Sequence, residues 1–176
     1  MYLISAYFDD DTNKKINRYI KQIAERTGNT FMTDNHVPPH MTISSVEARS
    51  GEMLIPYVGQ LSHGLRQGQV QFVSAGMFFP YVMYVTPVLN AYLQGMVKTV
   101  YEAVCDIDEV SVSRFYQPMQ WLPHVTIGKK LSKEEMRLAF EIIQNGFVPF
   151  EGTITAMGLA KTNPHEDMLK IDLIEE

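Results

Sequence analysis

The sequence lacks several features that particular protein classes require. Its single cysteine, Cys105, leaves no partner for a disulfide within the chain. No run of 18 apolar residues occurs, and the N-terminus has no basic region before an apolar stretch. Lys and Arg total 15 against 20 Asp and Glu, and the resulting net charge of −5 does not attract polyanions. We therefore expect a reduced, cytoplasmic, monomeric protein that binds neither membranes nor long nucleic acids.

Sequence motifs for common cofactors are also missing. There is no GxxxxGK[ST] and no GxGxxG, so neither a nucleoside triphosphate nor a dinucleotide is indicated. HExxH and CxxC are absent as well, and no His/Asp pair stands at metal-ligand spacing. We therefore predict that the protein uses no metal and no cofactor.

What the chain does contain is one short pattern written twice. PPHMTISS spans residues 38–45 and LPHVTIGK spans 122–129, so Pro-His-x-Thr-Ile occurs in both. The surrounding elements repeat in the same order, which is strand, helix, His-x-Thr strand, helix, strand. VSAGMFF around Gly76 also matches ITAMGLA around Gly158. These correspondences indicate an internal duplication, present in two copies.

The duplication predicts an α+β fold for a single domain covering residues 1–176. We expect two lobes related by a pseudo-twofold axis, roughly 1–79 and 80–176, around a central cleft. Each lobe should contain an antiparallel sheet with helices on its outer face. The motif strands should lie near the centre, with the Gly76 and Gly158 strands paired alongside them. Ser132 and Glu135 predict a capping box at the start of the last helix.

The repeated residues are suited to phosphate chemistry. On a strand, residues i and i+2 point to the same face, so His40 lies beside Thr42 and His124 beside Thr126. If the two pairs meet across the cleft, two imidazoles and two hydroxyls surround one point. Threonine hydroxyls can hold phosphate oxygens, while one histidine accepts a proton and the other donates one.

Less specific explanations compete with this one. A single His-x-Thr in a strand is most often structural, and a duplication can preserve two copies without function. Two histidines are also too few for a zinc site. The other histidines have ordinary explanations: a surface loop for His36, a helix end for His63 and a turn for His165.

The segments His40-Met41-Thr42-Ile43 and His124-Val125-Thr126-Ile127 each match the pattern H-x-[ST]-hydrophobic. With these two motifs the chain resembles the 2H phosphoesterase superfamily, which includes bacterial 2′-5′ RNA ligase-like proteins and cyclic phosphodiesterases. The resemblance implies metal-independent chemistry on a cyclic phosphate or a 2′-5′ phosphodiester of a nucleotide or short RNA. It implies His40 and His124 as the acid/base pair and Thr42 and Thr126 as phosphate binders. The alternative is a non-catalytic module that binds a nucleotide or phosphate metabolite.

Several further residues are candidates for substrate contacts. Arg114 and Tyr116 lie in the long loop before the second motif, where functional residues often occur, although a solvated loop is an equal possibility. Lys129 follows the second motif and could face the phosphate or solvent. Tyr7 and Tyr84 lie on the opening strands of the two halves, and an aromatic residue there could stack on a base, but aromatic residues in strands more often pack in the core. Phe78 is a further candidate for a substrate contact.

Overall fold

The computed structural model describes residues 1–162 and 166–175, so the turn predicted at His165 lies outside the described residues. The α+β prediction is confirmed, since helices accompany antiparallel strands. The first part of the chain forms β1 (Tyr2–Phe8), α1 (Asp10–Thr27), α2 (Phe31–Asp34), β2 (His40–Glu47), α3 (Ile55–Gln60), a short 3-10 helix (Leu61–His63) and β3 (Gly68–Phe78). The second part forms β4 (Val82–Pro87), α4 (Ala91–Val104), β5 (Ser111–Val112), a 3-10 helix (Arg114–Tyr116), β6 (Val125–Gly128), α5 (Lys133–Gly146), β7 (Phe150–Lys161) and β8 (Glu166–Asp172).

The longer helices begin where the sequence places capping residues. Asp9 accepts a hydrogen bond from the backbone N–H of Thr12 at 2.8 Å, which satisfies a donor at the start of α1. The predicted capping box of α5 is present, with Ser132 and Glu135 bonded reciprocally. Among the described residues, no helix combines the length and the apolar character needed to cross a bilayer.

The strands join into one antiparallel sheet rather than two separate ones. Its order is β5-β2-β1-β7-β3-β4-β6, and β8 pairs with β7 beside this path. The sheet is continuous because the first halves of the two long strands pair with each other, residues 68–72 of β3 with 150–154 of β7. From β2 to β6 the order is symmetric about its centre. Each motif strand is followed by the opening strand of its own half and then by the long strand of the other half. The lobe boundaries at residues 79 and 80 stay a prediction.

Two details of the predicted pairing are wrong. The motif strands β2 and β6 lie near the two ends of the sheet, not at its centre. The Gly76 and Gly158 strands do not flank them, because Gly76 pairs with Tyr84 of β4 and Gly158 with Ser5 of β1. In each case an opening strand, β1 or β4, separates the motif strand from a glycine strand. The glycine strand comes from the other half of the chain.

The sheet is strongly curled, and this brings its two ends together. Cα atoms of β2 and β6 approach within 8 Å of each other, although four strands separate them along the sheet. Helix α1 contacts β6 and helix α4 contacts β2, so each long helix also joins the two halves. Their apolar stripes enter one core, and the largest fully buried side chains include Ile4, Phe72 and Leu93. The curl therefore brings the two motif strands, distant in sequence, side by side.

Candidate active site

Each motif histidine is held in the same way by its own chain. His40 Nδ1 lies 2.9 Å from the carbonyl oxygen of Pro38, and His124 Nδ1 lies 2.9 Å from that of Leu122. A carbonyl oxygen can only accept, so Nδ1 carries the hydrogen in both rings. In the neutral ring this leaves Nε2 unprotonated and able to accept a proton. The local geometry thus prepares both histidines for proton transfer through Nε2.

The alternating pattern of each motif strand separates core residues from polar ones. Met41 and Val125, which follow the two histidines, are at most 1% exposed in the core. His40 and His124 are half-buried on the opposite side. The pairing register then steps over one residue in each motif, Ile43 in β2 and Ile127 in β6, and both of these bulge residues are fully buried. The repeated isoleucine is therefore a packing residue at a β-bulge.

A hydrogen bond links the segment before the second motif to the first motif strand. The Nε1–H group of buried Trp121, just before the second motif, donates to the carbonyl oxygen of Thr42 at 3.0 Å. Thr42 is 8% exposed and Thr126 is half-buried. In the part of the chain that the structure describes, no protein group bonds to either threonine hydroxyl. Both hydroxyls therefore remain available to a ligand.

Aromatic rings surround His124. The ring centroid of Phe78 lies 4.8 Å from that of His124, edge to face, and Tyr84 lies 5.4 Å away. Phe78 and Tyr84 also contact each other at 4.4 Å. Burial among these groups lowers the pKa of His124, because a charged imidazole loses hydration there, and the hydrogen bond to Leu122 opposes the shift. The neutral form of His124 is favoured.

A cavity of about 390 Å³ opens beside His124. Its walls are mostly aromatic and come from the end of β3 and from the loop before the second motif; they include Phe78, Phe115, Tyr116, Trp121 and Leu122. Phe78 and Tyr116 were candidates from the sequence, whereas Phe115, Trp121 and Leu122 were missed. The sequence did contain a signal, since Phe115, Tyr116 and Trp121 all stand within nine residues before His124. A planar, apolar ligand group would fit these walls.

The surroundings of His40 are more polar. Tyr7 pairs with His40 across the β1–β2 ladder, and the two ring centroids are 6.3 Å apart. Burial raises the pKa of Tyr7 to about 12, and the charge of Asp167 and a hydrogen bond to it add to this effect. The hydroxyl therefore stays protonated as a donor to Asp167. Lys170 places its Nζ 5.3 Å from the centroid of the Tyr7 ring.

The remaining residues predicted to contact a substrate differ in their location and exposure. Tyr116 lines the cavity, and burial raises the pKa of its hydroxyl. Arg114 is exposed, with its guanidinium 4.8 Å from the centroid of the Phe115 ring. Lys129 is exposed and its Nζ lies 5.9 Å from the ring of Phe31 in α2, so its role toward a substrate stays a prediction. Tyr7 is only 7% exposed, which leaves little of its ring for stacking on a base.

Metal-ligand chemistry is not evident in these surroundings. Within residues 1–162 and 166–175, no group of three or more His, Cys, Asp or Glu side chains is placed to hold a metal ion. That the reaction proceeds without metal stays a prediction.

Comparison with known proteins was made on both sequence and structure. The family model described as the 2′-5′ RNA ligase superfamily matches residues 12–166. No curated protein matches the sequence. A crystal structure described as a phosphoesterase is similar with a TM-score of 0.61 at 11% identity, covering 98% of this chain and 97% of that chain.

Two further solved structures share the fold. TT0787 of Thermus thermophilus is similar with a TM-score of 0.59 at 13% identity, covering 99% of this chain and 98% of that one. E. coli LigT complexed with 3′-AMP is similar with a TM-score of 0.59 at 12% identity, covering 98% and 97%. At such low identity, these likenesses establish the fold.

Proposed function

Because this chain belongs to the 2′-5′ RNA ligase superfamily, we propose that it is a metal-independent phosphoesterase using His40 and His124. Its substrate would be a cyclic phosphate or a 2′-5′ phosphodiester of a nucleotide or short RNA. Membership in the family confirms the resemblance drawn from the two motifs. The choice of substrate and the roles of individual residues are the proposal.

The observation that carries this proposal is the matched geometry of the two histidines. Each Nδ1–H is held by a carbonyl two residues earlier, so the lone pair of each neutral ring lies on Nε2. The two strands that carry the motifs contact each other, although they occupy distant places in the sheet. A pair of histidines prepared alike on adjoining strands suits a reaction that needs one base and one acid.

The different surroundings of the two histidines support a division of roles between them. His124, kept neutral by burial, takes the proton from an attacking water or hydroxyl through Nε2. The attacking oxygen forms a bond to phosphorus as the bond from phosphorus to a ribose oxygen breaks. His40, protonated on Nε2, donates its proton to that leaving oxygen. The hydroxyls of Thr42 and Thr126 donate to non-bridging phosphate oxygens and stabilise the charge that develops there.

The aromatic cavity supplies a place for a nucleobase. Its volume of about 390 Å³ lies directly beside His124, and base stacking on aromatic rings contributes about 1–3 kcal/mol per base. The fold is shared with E. coli LigT, whose crystal structures include complexes with 3′-AMP and with phosphate. We propose that the base of the substrate enters this cavity while its phosphate lies between the histidines.

A panel of substrates tests the proposal. The protein would be incubated with 2′,3′-cyclic nucleotides, 2′-5′ oligonucleotides and ADP-ribose cyclic phosphates, each with and without EDTA. We expect turnover of at least one class, unchanged by EDTA. Loss of activity on adding EDTA would contradict the metal-free mechanism. Tight ligand binding by calorimetry without turnover of any compound would instead indicate a nucleotide-binding module.

A further inference from the structure

The two long strands of the sheet differ on one edge. Strand β7 is paired on both sides, with β1 on one side and with β3 and then β8 on the other. Strand β3 pairs with β4 on one side and with β7 only over residues 68–72 on the other. Beyond Phe72, among the described residues, that second edge has no strand partner. The position beside β7 is thus filled by β8, whereas no described strand fills the corresponding position beside β3.

Burial follows this difference. The segment of β7 covered by β8 is almost completely buried, since Ala156, Met157 and Ala160 are at most 3% exposed. The corresponding segment of β3 is open, with Val73 38% exposed and Ser74 exposed as well. An unpaired strand edge offers a row of free N–H and C=O groups. Natural proteins often protect such an edge with charge or proline, but residues 73–78 read VSAGMF and contain neither.

The open edge is also the wall of a groove. A depression of about 330 Å³ lies between residues 73–77 of β3 and the apolar side chains of Phe140 and Ile143 in α5 and of Phe147 just after it. In the other half, β8 pairs with β7 and contacts α3, which also contacts β7. Helix α3 follows the first motif strand and α5 follows the second, so the groove is the counterpart of the place filled by β8.

Strand β8 shows what kind of segment fits such a place. It runs antiparallel to β7, and its apolar Leu169 and Ile171 pack against the core while Lys170 between them is exposed. We propose that the groove binds an extended peptide segment of a partner protein, which adds as an antiparallel strand along residues 73–78. The segment would carry apolar residues at alternate positions, facing Phe140, and polar residues between them.

The groove is lined by residues 73–77 and shares no lining residue with the cavity beside His124, but the open edge ends at Phe78, which lines that cavity. Peptide binding can be measured on a protein whose catalytic histidines are untouched, so a failure of the peptide proposal is distinguishable from a failure of the proposed activity.

The test uses synthetic seven-residue peptides, the length of β8. The pool would vary Leu, Ile, Val and Phe at alternate positions, with Ser, Thr or Lys between them. Binding would be followed by amide hydrogen exchange and backbone NMR. We expect at least one peptide to slow exchange of outward-facing amides within residues 73–78. The same peptide, N-methylated at alternate residues so that one edge cannot donate, should fail to bind.

A matched pair of variants locates the peptide. Phe140 is 46% exposed on α5, and Phe140→Glu should weaken binding by about tenfold or more, as loss of an apolar anchor does. Tyr57, 41% exposed on α3, serves as the control, and Tyr57→Glu should leave binding unchanged. The proposal is overturned if no peptide protects these amides, or if binding shifts resonances on another face. It is also overturned if the amides become protected as protein concentration rises without peptide, which would assign the edge to a second copy.

Discussion

The two motif histidines have the same local geometry but different neighbours. Both use a carbonyl two residues earlier to hold Nδ1, and both strands have a buried isoleucine at a bulge. Around His124 the neighbours are the rings of Phe78 and Tyr84 and an aromatic cavity. Around His40 they are Tyr7 and, beyond it, the charged side chains of Asp167 and Lys170.

This comparison shows which parts of a duplicated unit tolerate divergence. The parts that remain alike are those that orient an imidazole, since its hydrogen-bonding geometry allows little change. The parts that differ surround the site and decide which chemical group can enter on each side. An aromatic cavity suits a base, whereas the Tyr7 side suits a polar or charged group. The two halves would thus share one reaction and divide the recognition of an asymmetric substrate.

The largest effect should come from removing either histidine. His40→Ala and His124→Ala should each lower kcat by about 10²–10⁴, the usual contribution of one acid or base. The double variant should be little slower than either single one, because neither proton transfer is useful without the other. Steady-state kinetics on the true substrate measures this. His63→Ala, at an exposed position after α3, is the control, and near-normal turnover by either motif variant would contradict the paired mechanism.

Removing an aromatic wall should have the next largest effect. Phe115 is 63% exposed, so Phe115→Ala should not unfold the protein, but loss of stacking should raise KM for a nucleotide on the order of tenfold. A ribose cyclic phosphate without a base should be unaffected. Lys170→Ala, on the His40 side, should act equally on substrates with and without a base. Phe79→Ala, at a position 83% exposed and outside the cavity lining, is the control. Equal effects of Phe115→Ala on both substrates would reject the base-binding role.

The two glycine strands offer a comparison of stability. A Cβ on Gly158 would stand 2.8 Å from both the Leu169 carbonyl oxygen of β8 and Cε2 of Tyr7. A Cβ on Gly76 would lie within 2.8 Å of the hydroxyl oxygen, Cζ and Cε2 of Tyr84. Gly158→Ala should lower the free energy of unfolding by about 1–3 kcal/mol. Gly76→Ala should lower it by less, because the atoms it meets are the end of a side chain, which can shift more easily than the backbone carbonyl of Leu169. Chemical denaturation measures both, and a larger loss at Gly76 would contradict this account.

The smallest effect concerns pH. His124 acts as a base in its neutral form, so activity falls as the pH drops through its pKa, which burial lowers below the usual value of about 6.5. Phe78→Ser should admit water, raise the pKa of His124 and move the acid limb of kcat/KM to higher pH by about one unit or less. Phe79→Ser, at the adjacent exposed position, should leave the limb in place. If Phe78→Ser leaves the acid limb of kcat/KM in place, that limb belongs to a titrating group other than His124.

Features that depend on local pattern could be predicted from neighbouring residues. Alternation predicted that each motif histidine lies beside its threonine, Ser132 and Glu135 predicted the start of α5, and the repeated motif identified the candidate pair. These follow from side-chain direction and from hydrogen bonds between residues a few positions apart, which neighbouring letters specify.

The sheet order, the curl that brings β2 to β6, and the identity of the residues around each histidine follow from long-range packing and could not be predicted. The bond from Trp121 to Thr42 and the approach of Phe78 to His124 join positions far apart in the chain. Such contacts depend on how long strands exchange partners between the two halves. A periodic pattern indicates that a strand exists and which face is apolar, but it does not specify which strand lies beside it.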